Sequence, residues 1–519
     1  ANVANLLIAR ATRRQRELGV RVALGAGRAR LASMMLVESG MLAVFGGILG
    51  IALGYWGGAL IRQTLLPTVA WPTAPVDGVV LAYTAAAVMA TTLLVGALPA
   101  FHAVRGDPML ALKSGLAQSG EQHGRVRTLL QVAQIALSVV LLTTAGLYVR
   151  SLWRVRHLDL GLEPDAVLVA SVGYKDENIR TEDDFAHTMA RNRTRSRELL
   201  EQLRRLPGVA HASVAIGTPF YSTYGVGVRL PGHDSLPSAA GGGPYISAVG
   251  PDYFETVGTR LLRGRTFTVA DHEGSPPVVI VNATMARTFW PNEDALTKCL
   301  IVDDAPCAPV VGIVADARQW KLRENPAMQF YVPYGQNDHI GGDMLLVRPR
   351  GRVGPFSGDL RATLARLVPN ARMIEVKSLA EAIDPQVRPW RVGALMFGLF
   401  GLLALVVSAV GLFSVVSYLL AQRTKEVGIR IALGARSSQV LRLMLGGALV
   451  RALIGVGIGA IGAIAVGPLV EPYLFETTGR DPAVMVAVAV ALLVTSLLAS
   501  AVPSWRACRV DPVIALRAD

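Results

Sequence analysis

Residues 17–26 read Glu-Leu-Gly-Val-Arg-Val-Ala-Leu-Gly-Ala, and residues 426–435 read Glu-Val-Gly-Ile-Arg-Ile-Ala-Leu-Gly-Ala. The two copies lie 409 residues apart. A second match, at an offset of 404 residues, pairs Asp107-Pro108 with Asp511-Pro512. Two collinear matches of this kind indicate an internal repeat, so each end of the chain is expected to hold one copy of the same structural unit.

Long apolar runs follow each copy of the repeat and recur elsewhere. Of the 519 residues, 52% are hydrophobic and only 17% are charged, whereas an ordinary soluble domain has about 25% charged residues. Six runs have about the 20 residues that a helix needs to cross a bilayer. They are Leu36–Leu60, Val79–Phe101, Leu129–Val149, Val392–Leu420, Leu443–Leu469 and Ala483–Val502. The composition excludes a typical soluble enzyme and predicts a membrane protein with one large polar region between the third and fourth runs.

The net charge of +13 is confined to four short segments that flank the apolar runs. Residues 1–35, 102–128, 421–442 and 504–519 hold 19 basic and 6 acidic residues, and the remainder of the chain holds 32 of each. Basic loops lie on the cytoplasmic side of a membrane by the positive-inside rule. The large polar region is therefore expected outside the cytoplasm, and the basic excess indicates topology rather than nucleic-acid binding.

The repeated segment has the pattern of a short amphipathic helix. Glu426 and Arg430 form an i, i+4 pair in the favourable order, and Gly434 is a residue type that ends helices. An interfacial helix that touches anionic lipid headgroups would have similar composition. Headgroup binding does not require a fixed Glu-x-Gly-x-Arg-x-Ala-x-Gly order, however, so its repetition favours a shaped contact with another protein.

With its motif, its spans and its large polar region, the chain resembles the FtsX/MacB-like ABC transporter permeases, and its duplicated layout resembles their double-length (ADOP) branch. Stretches such as Pro251-Asp-Tyr-Phe-Glu-Thr-Val-Gly and Val278-Val-Ile-Val-Asn-Ala are similar to the periplasmic core domain of these permeases. The resemblance implies an α-helical transmembrane bundle, with about six complete spans plus the end of another. It also implies a large α+β extracytoplasmic MacB-like periplasmic core domain.

The function that the resemblance implies is that of a permease subunit. A separate ABC ATPase on the cytoplasmic side would hydrolyse ATP, and the permease would couple that reaction to motion of the periplasmic domain, for efflux or export. A periplasmic adaptor would be a further partner, and the bacterial inner (plasma) membrane the location. The alternative is an FtsX-type signalling complex that activates a periplasmic partner without transport.

The ATPase-facing positions are carried over from the family onto the two copies of the repeat. They are Arg14, Glu17, Gly19, Arg21 and Gly25 in the first copy, and Arg423, Glu426, Gly428, Arg430 and Gly434 in the second.

Four regions follow from the repeat. We expect residues 1–128 to be the back half of a first FtsX-like unit, with its beginning missing, and residues 129–150 to be the first span of a second unit. Residues 151–390 would form the extracytoplasmic domain, and residues 391–519 would add three spans and a cytoplasmic tail.

Two parts of the polar region share a predicted strand–helix–strand pattern. In the first, strands 166–172 and 212–216 flank a helix from 181 to about 206. In the second, strands 344–347 and 372–376 flank a helix over 357–367. Two such units suggest an α+β fold with split sheets. The intervening segment, about 229–342, is rich in Gly and Pro and is expected to form an inserted, mostly β lobe.

Cys299 and Cys307 are the two cysteines of the polar region. Their strand-like flanks would form a hairpin that brings the thiols within disulfide reach, in an oxidising compartment. Two free buried thiols are the alternative. The sequence contains no phosphate-binding G-x-x-x-x-G-K-[ST], no H-E-x-x-H and no G-x-S-x-G motif. We therefore expect no catalytic activity, metal or cofactor in this chain.

Overall fold

The protein is described from a computed structural model, which describes residues 28–65, 74–105, 117–175, 182–303, 305–336, 342–422 and 437–507. The helices are α1 (Arg28–Leu65), α2 (Gly78–Arg105), α3 (Ala117–Arg156), α4 (Glu182–Arg204), α5 (Tyr253–Val257), α6 (Ala283–Phe289), α7 (Val353–Leu367), α8 (Leu379–Gln422), α9 (Ser437–Val470) and α10 (Pro482–Ala507). Two compact units result: Ala1–Trp153 with Trp390–Asp519, and Arg154–Pro389.

The first unit, here the membrane unit, is helical in its described residues. Within the described part of the chain, five helical stretches are long and apolar enough to cross a membrane: Leu36–Gln63, Thr128–Arg156, Leu379–Ser417, Gly446–Tyr473 and Pro482–Ala501. The predicted second run, Val79–Phe101, lies within helix α2, and its first part falls in an apolar stretch, Gly78–Leu93. Phe45, Leu49 and Trp56 are more than half exposed on α1, as side chains that face lipid would be.

Strands dominate the second unit, here the sheet domain. They are β1 (Leu168–Tyr174), β2 (Val209–Ile216), β3 (Tyr224–Gly225), β4 (Val228–Arg229), β5 (Tyr245–Val249), β6 (Leu261–Gly264), β7 (Val279–Asn282), β8 (Cys299–Val302), β9 (Ala308–Val314), β10 (Gln329–Pro333), β11 (Met344–Pro349) and β12 (Ala371–Ser378). Their order along the sheet is β12-β1-β11-β2-β5-β10-β7-β9-β8-β4, with β3 beside β5 and β6 beside β9.

The two strand–helix–strand units predicted from the sequence are present as β1-α4-β2 and β11-α7-β12. They interleave, because β1 lies between β12 and β11 and pairs antiparallel with both. Helix α7 begins at Val353, four residues before its predicted start. The N-cap position is Arg352, and the Ser357 hydroxyl donates to the Gly354 carbonyl, 2.7 Å away, inside the first turns.

The inserted segment contributes strands β5 to β10, and these strands extend the existing sheet. Strand β5 pairs with β2 through Ala215↔Val249 and Ile216↔Ala248, and β10 pairs with β5 in parallel. The segment also contributes the short helices α5 and α6.

Both faces of the sheet are covered. Along β1, Leu168 and Ala170 belong to one buried cluster, while Val169 belongs to another, because successive side chains of a strand point to opposite faces. Helices α4 and α7 cover the first face, with Leu203 and Leu364 fully buried. Helix α5 covers the other face through Phe254.

Candidate functional site

The predicted ATPase-coupling residues lie outside the described residues. Arg14 to Gly25 fall in residues 1–27, and Arg423 to Gly434 fall in residues 423–436. The second of these segments connects α8, which ends at Gln422, to α9, which begins at Ser437. The described candidate site is therefore the set of helices to which that segment is attached.

Helix α3 packs against α8, α9 and α10 at glycine positions. A Cβ atom built on Gly459 of α9 would lie 2.6 Å from the Cβ of Val139, and one built on Gly401 of α8 would lie 2.9 Å from Leu142. A Cβ atom on Gly146 of α3 would lie 2.6 Å from Val484 of α10. These separations are too short for two carbon atoms, so the helices approach each other as closely as small residues permit.

Two side-chain contacts add to the pairing of α3 with α8. The hydroxyls of Ser138 and Ser408 are 2.9 Å apart. The rings of Tyr148 and Phe397 stack with centroids 5.0 Å apart. Polar contacts between helices hold them in register in lipid, where no water competes for the hydroxyls.

The loop between α9 and α10, residues 471–481, is fastened to α3. Asp481 is 6% exposed. Its carboxylate forms an ion pair with the Arg150 guanidinium, 2.5 Å away. The same carboxylate accepts the Ala483 N–H at 3.0 Å, as an N-terminal cap of α10. Next to Arg150, the fully buried Ser151 accepts the N–H of Phe475 at 2.5 Å.

The same loop is also fastened to α8. The indole N–H of Trp390 donates to the Tyr473 carbonyl at 3.0 Å. The Trp390 and Phe475 rings meet edge to face with centroids 5.4 Å apart. One loop therefore ties α3, α8, α9 and α10 together at one end of the bundle.

Sequence reasoning missed this fastening. Arg150 stands immediately after a predicted apolar run, and Asp481 immediately precedes Pro482, which is the pattern of a capped helix start. These signals could have indicated a charged pair at the ends of two spans. The contact between Ser151 and Phe475 joins residues 324 positions apart, and no local pattern indicates it.

In the sheet domain, the structure joins Cys299 and Cys307 by a disulfide, with Cα atoms 5.5 Å apart. The hairpin that carries them is present, since β8 and β9 pair antiparallel with Cys299 opposite Pro309. Among the described residues, no group of three or more His, Cys, Asp or Glu side chains is placed to hold a metal ion.

One carboxyl group of the sheet domain stands in an unusual environment. Burial raises the pKa of Asp343, while hydrogen bonds from Tyr334 and Ser196 and the charges of two arginines act in the opposite direction. Burial, followed by the charge of Asp343, also raises the pKa of the Tyr334 hydroxyl. Asp343, just before β11, thus contacts Ser196 of α4 and Tyr334.

Two family models match the chain. The FtsX-like permease C-terminal model matches residues 1–108 and 398–512. The MacB-like periplasmic core domain model matches residues 128–383.

Two curated relatives are similar to about half of the chain. The chain is 26% identical over 279 residues to the macrolide export ATP-binding/permease protein MacB of Escherichia coli K12, covering 52% of this chain and 43% of the relative. The protein of the same name from Wolinella succinogenes is 26% identical over 266 residues, covering 50% of this chain and 41% of the relative. The chain thus spans less than half the length of the curated relatives it matches.

Among solved structures, the chain is similar to the periplasmic region of MacB from Actinobacillus actinomycetemcomitans, with 14% identity and a TM-score of 0.31. That match covers 45% of this chain and 97% of the solved chain.

Proposed function

The chain belongs to the FtsX/MacB-like permeases, and on that premise we propose that it is the transmembrane subunit of an ABC transporter driven by a separate ATPase. One observation supports this proposal above the others. The FtsX-like permease model matches both ends of the chain, and each matched region holds one copy of the repeated Glu-x-Gly-x-Arg segment. A two-fold ATPase dimer needs two docking segments, and one chain with two copies supplies both.

In this proposal the membrane unit contains the six spans, with the four basic segments in the cytoplasm. Positive charge on those segments supports this orientation. The sheet domain then lies outside the cytoplasm of a bacterium, at its inner membrane, where an oxidising environment suits the disulfide. Residues 1–128 would belong to one permease unit, and residues 129–519 would form a second unit with its domain inserted after the first span.

The mechanism proposed is transmission of motion. ATP-driven closure of the ATPase would displace residues 17–26 and 426–435. Residues 423–436 are joined directly to α8 and α9, and these helices pack on α3 through close glycine contacts. The chain enters the sheet domain from α3 and leaves it into α8, so both connections would carry the motion outward. The names of the curated relatives favour export over signalling, and a periplasmic adaptor would complete the pathway.

The test is a charge exchange in the second repeat. Glu426→Lys combined with Arg430→Glu keeps the net charge and the helix length but reverses the pair that would face the ATPase. We expect at least a tenfold loss of ATPase co-purified from membranes, and a further loss when Glu17→Lys and Arg21→Glu are added.

The matched control reverses a solvent-accessible ion pair of the sheet domain, Glu293 with Lys298. Such a pair contributes little to stability. Glu293→Lys with Lys298→Glu should leave ATPase co-purification unchanged. Equal recovery of ATPase with the repeat variants and with this control would refute the coupling assignment.

A further inference from the structure

A seven-residue loop of the sheet domain, residues 318–324, is held in one shape by its own last side chain. The Glu324 carboxylate accepts the backbone N–H groups of Trp320 at 3.1 Å and Lys321 at 2.9 Å, and that of Gln319 as well. The Arg318 guanidinium closes the loop by donating to the Glu324 carbonyl at 2.6 Å. Hydrogen bonds to a charged acceptor are the strong ones, so this loop, here the junction loop, is rigid.

The Gln386 side chain attaches helix α8 to the junction loop. The amide of Gln386 accepts the Leu322 N–H at 3.0 Å and donates to the Trp320 carbonyl at 2.6 Å. Both bonds need an amide, because the contact uses one acceptor and one donor on the same group.

The other end of the junction loop is attached to the chain that follows α3. The backbone N–H of Arg318 donates to the Leu160 carbonyl at 3.0 Å. Beside it, Gly161 has a φ of +71°, and a Cβ atom there would lie 2.8 Å from the Cα of Ala317. Only glycine suits this close approach and this φ. The loop therefore contacts both segments through which the domain is connected to the spans.

Prolines mark the part of α8 that the loop holds. Pro385 and Pro389 lie inside the helix, on either side of Gln386. Each proline removes a backbone hydrogen bond of the helix, and sharp bends in helices occur at such positions. The Gln386 amide therefore contacts the junction loop from the part of α8 whose backbone the two prolines make easiest to bend.

We propose that the junction loop is a coupler between the two connections, and that Gln386 is its positioning residue. A displacement of the first turns of α8 is passed through Gln386 to the loop, and from Arg318 to the segment after α3. The contacts of Glu324, Arg318 and Gln386 do not depend on the proposed function. Only the source of the motion rests on it.

The test is hydrogen exchange of the full chain in lipid nanodiscs, with and without the ATPase trapped on nucleotide. Gln386→Leu removes both amide bonds at nearly constant volume. Exchange should rise at least fivefold at Trp320 to Leu322, and also at residues 158–161 and Arg318, which Gln386 does not touch. Gln386→Glu keeps the acceptor for Leu322 and should give an intermediate rise at both places.

Gln336→Leu is the matched control. The Gln336 amide bridges to Ser275, with Nε2 2.9 Å from Oγ, and contacts neither connection. It should change exchange near residues 272–276 only. A rise confined to residues 320–322 in the Gln386→Leu variant, with residues 158–161 unaltered, would overturn the coupler.

The nucleotide arm separates this inference from the proposed function. In the wild type, trapped nucleotide should change exchange at α8 and at residues 158–161 together, and in Gln386→Leu at α8 alone. If nucleotide changes nothing in the wild type while the variant still loosens residues 158–161, the coupler stands and the ATP-driven function fails. If nucleotide changes both segments equally in the wild type and in Gln386→Leu, the coupler fails and the function stands.

Discussion

At the scale of single residues, Asp343 is the group whose protonation should change stability. Its pKa is raised in the folded domain, chiefly by burial, so the folded state holds the proton more tightly than the unfolded state. The corresponding stability is fully present below the ordinary carboxyl pKa and is lost as the pH rises through the raised pKa. The groups that face it are Tyr334, Ser196, Arg193 and Arg197.

Asp343→Asn should remove this pH dependence. Between about pH 4, the ordinary carboxyl range, and neutral pH, the melting temperature of the wild type should fall relative to the variant. A difference of about 2–4 °C corresponds to about 1 kcal/mol in a domain of this size. Thermal unfolding at several pH values measures it. Parallel profiles for the two proteins would contradict the prediction.

Single residues also define what the sequence could and could not predict. The predicted helix from 181 to about 206 is close to the observed α4, Glu182–Arg204, because helix ends have local signals. Gln386 carries no such signal, since a glutamine in a helix is ordinary until its backbone partners, Trp320 and Leu322, are known. Those partners are more than sixty residues away.

At the scale of elements, the pairing of α3 with α9 should depend on Gly459 and not on Gly457. Gly459 lies against Val139 and Ala136, whereas a Cβ atom on Gly457 meets nothing within 4 Å. Gly459→Leu should therefore separate the helices, at a cost of about 3 kcal/mol or more, the upper range for overpacking. Gly457→Leu should be tolerated.

Both variants can be compared by thermal unfolding in detergent and by the yield of monodisperse protein. The two substitutions add the same side chain to the same helix two residues apart, so differences in helix propensity and in hydrophobicity cancel. A similar loss of stability in both would contradict the close packing of α3 with α9.

Elements also differ in how well the sequence predicts them. The spans follow from length and hydropathy alone, and the two strand–helix–strand units follow from alternating polarity and end signals. The sheet order does not follow from the sequence. Strand β1 pairs with β11 and β12, and both of these strands lie some 200 residues further along the chain. Non-local pairing of this kind depends on side-chain packing across the whole domain, which no window of sequence contains.

At the scale of the whole molecule, the proposed topology places Cys508 and the sheet domain on opposite sides of the membrane. Cys508 lies outside the described residues, in the basic segment 504–519 that is expected in the cytoplasm, and the other two cysteines form the disulfide. A cysteine placed at the exposed Glu273 should react with a membrane-impermeant maleimide in intact spheroplasts. Cys508 should react only after the membrane is permeabilised.

Mass spectrometry of labelled peptides measures both sites in one sample. A Glu273→Cys, Cys508→Ser variant isolates the outer site, and the wild type isolates the inner one. Labelling of Cys508 in intact spheroplasts, at the rate seen after permeabilisation, would invert or refute the topology.

The position of β1 beside β12 has a consequence for the gene as well as for the protein. Leu168 is paired with Ser378, and the Leu379 N–H donates to the Val167 carbonyl at 2.9 Å. The chain therefore enters and leaves the sheet at adjacent points, although some 210 residues intervene. A hairpin of two spans could have acquired the entire domain in one recombination event, and a short turn in place of residues 168–378 should be enough to excise it.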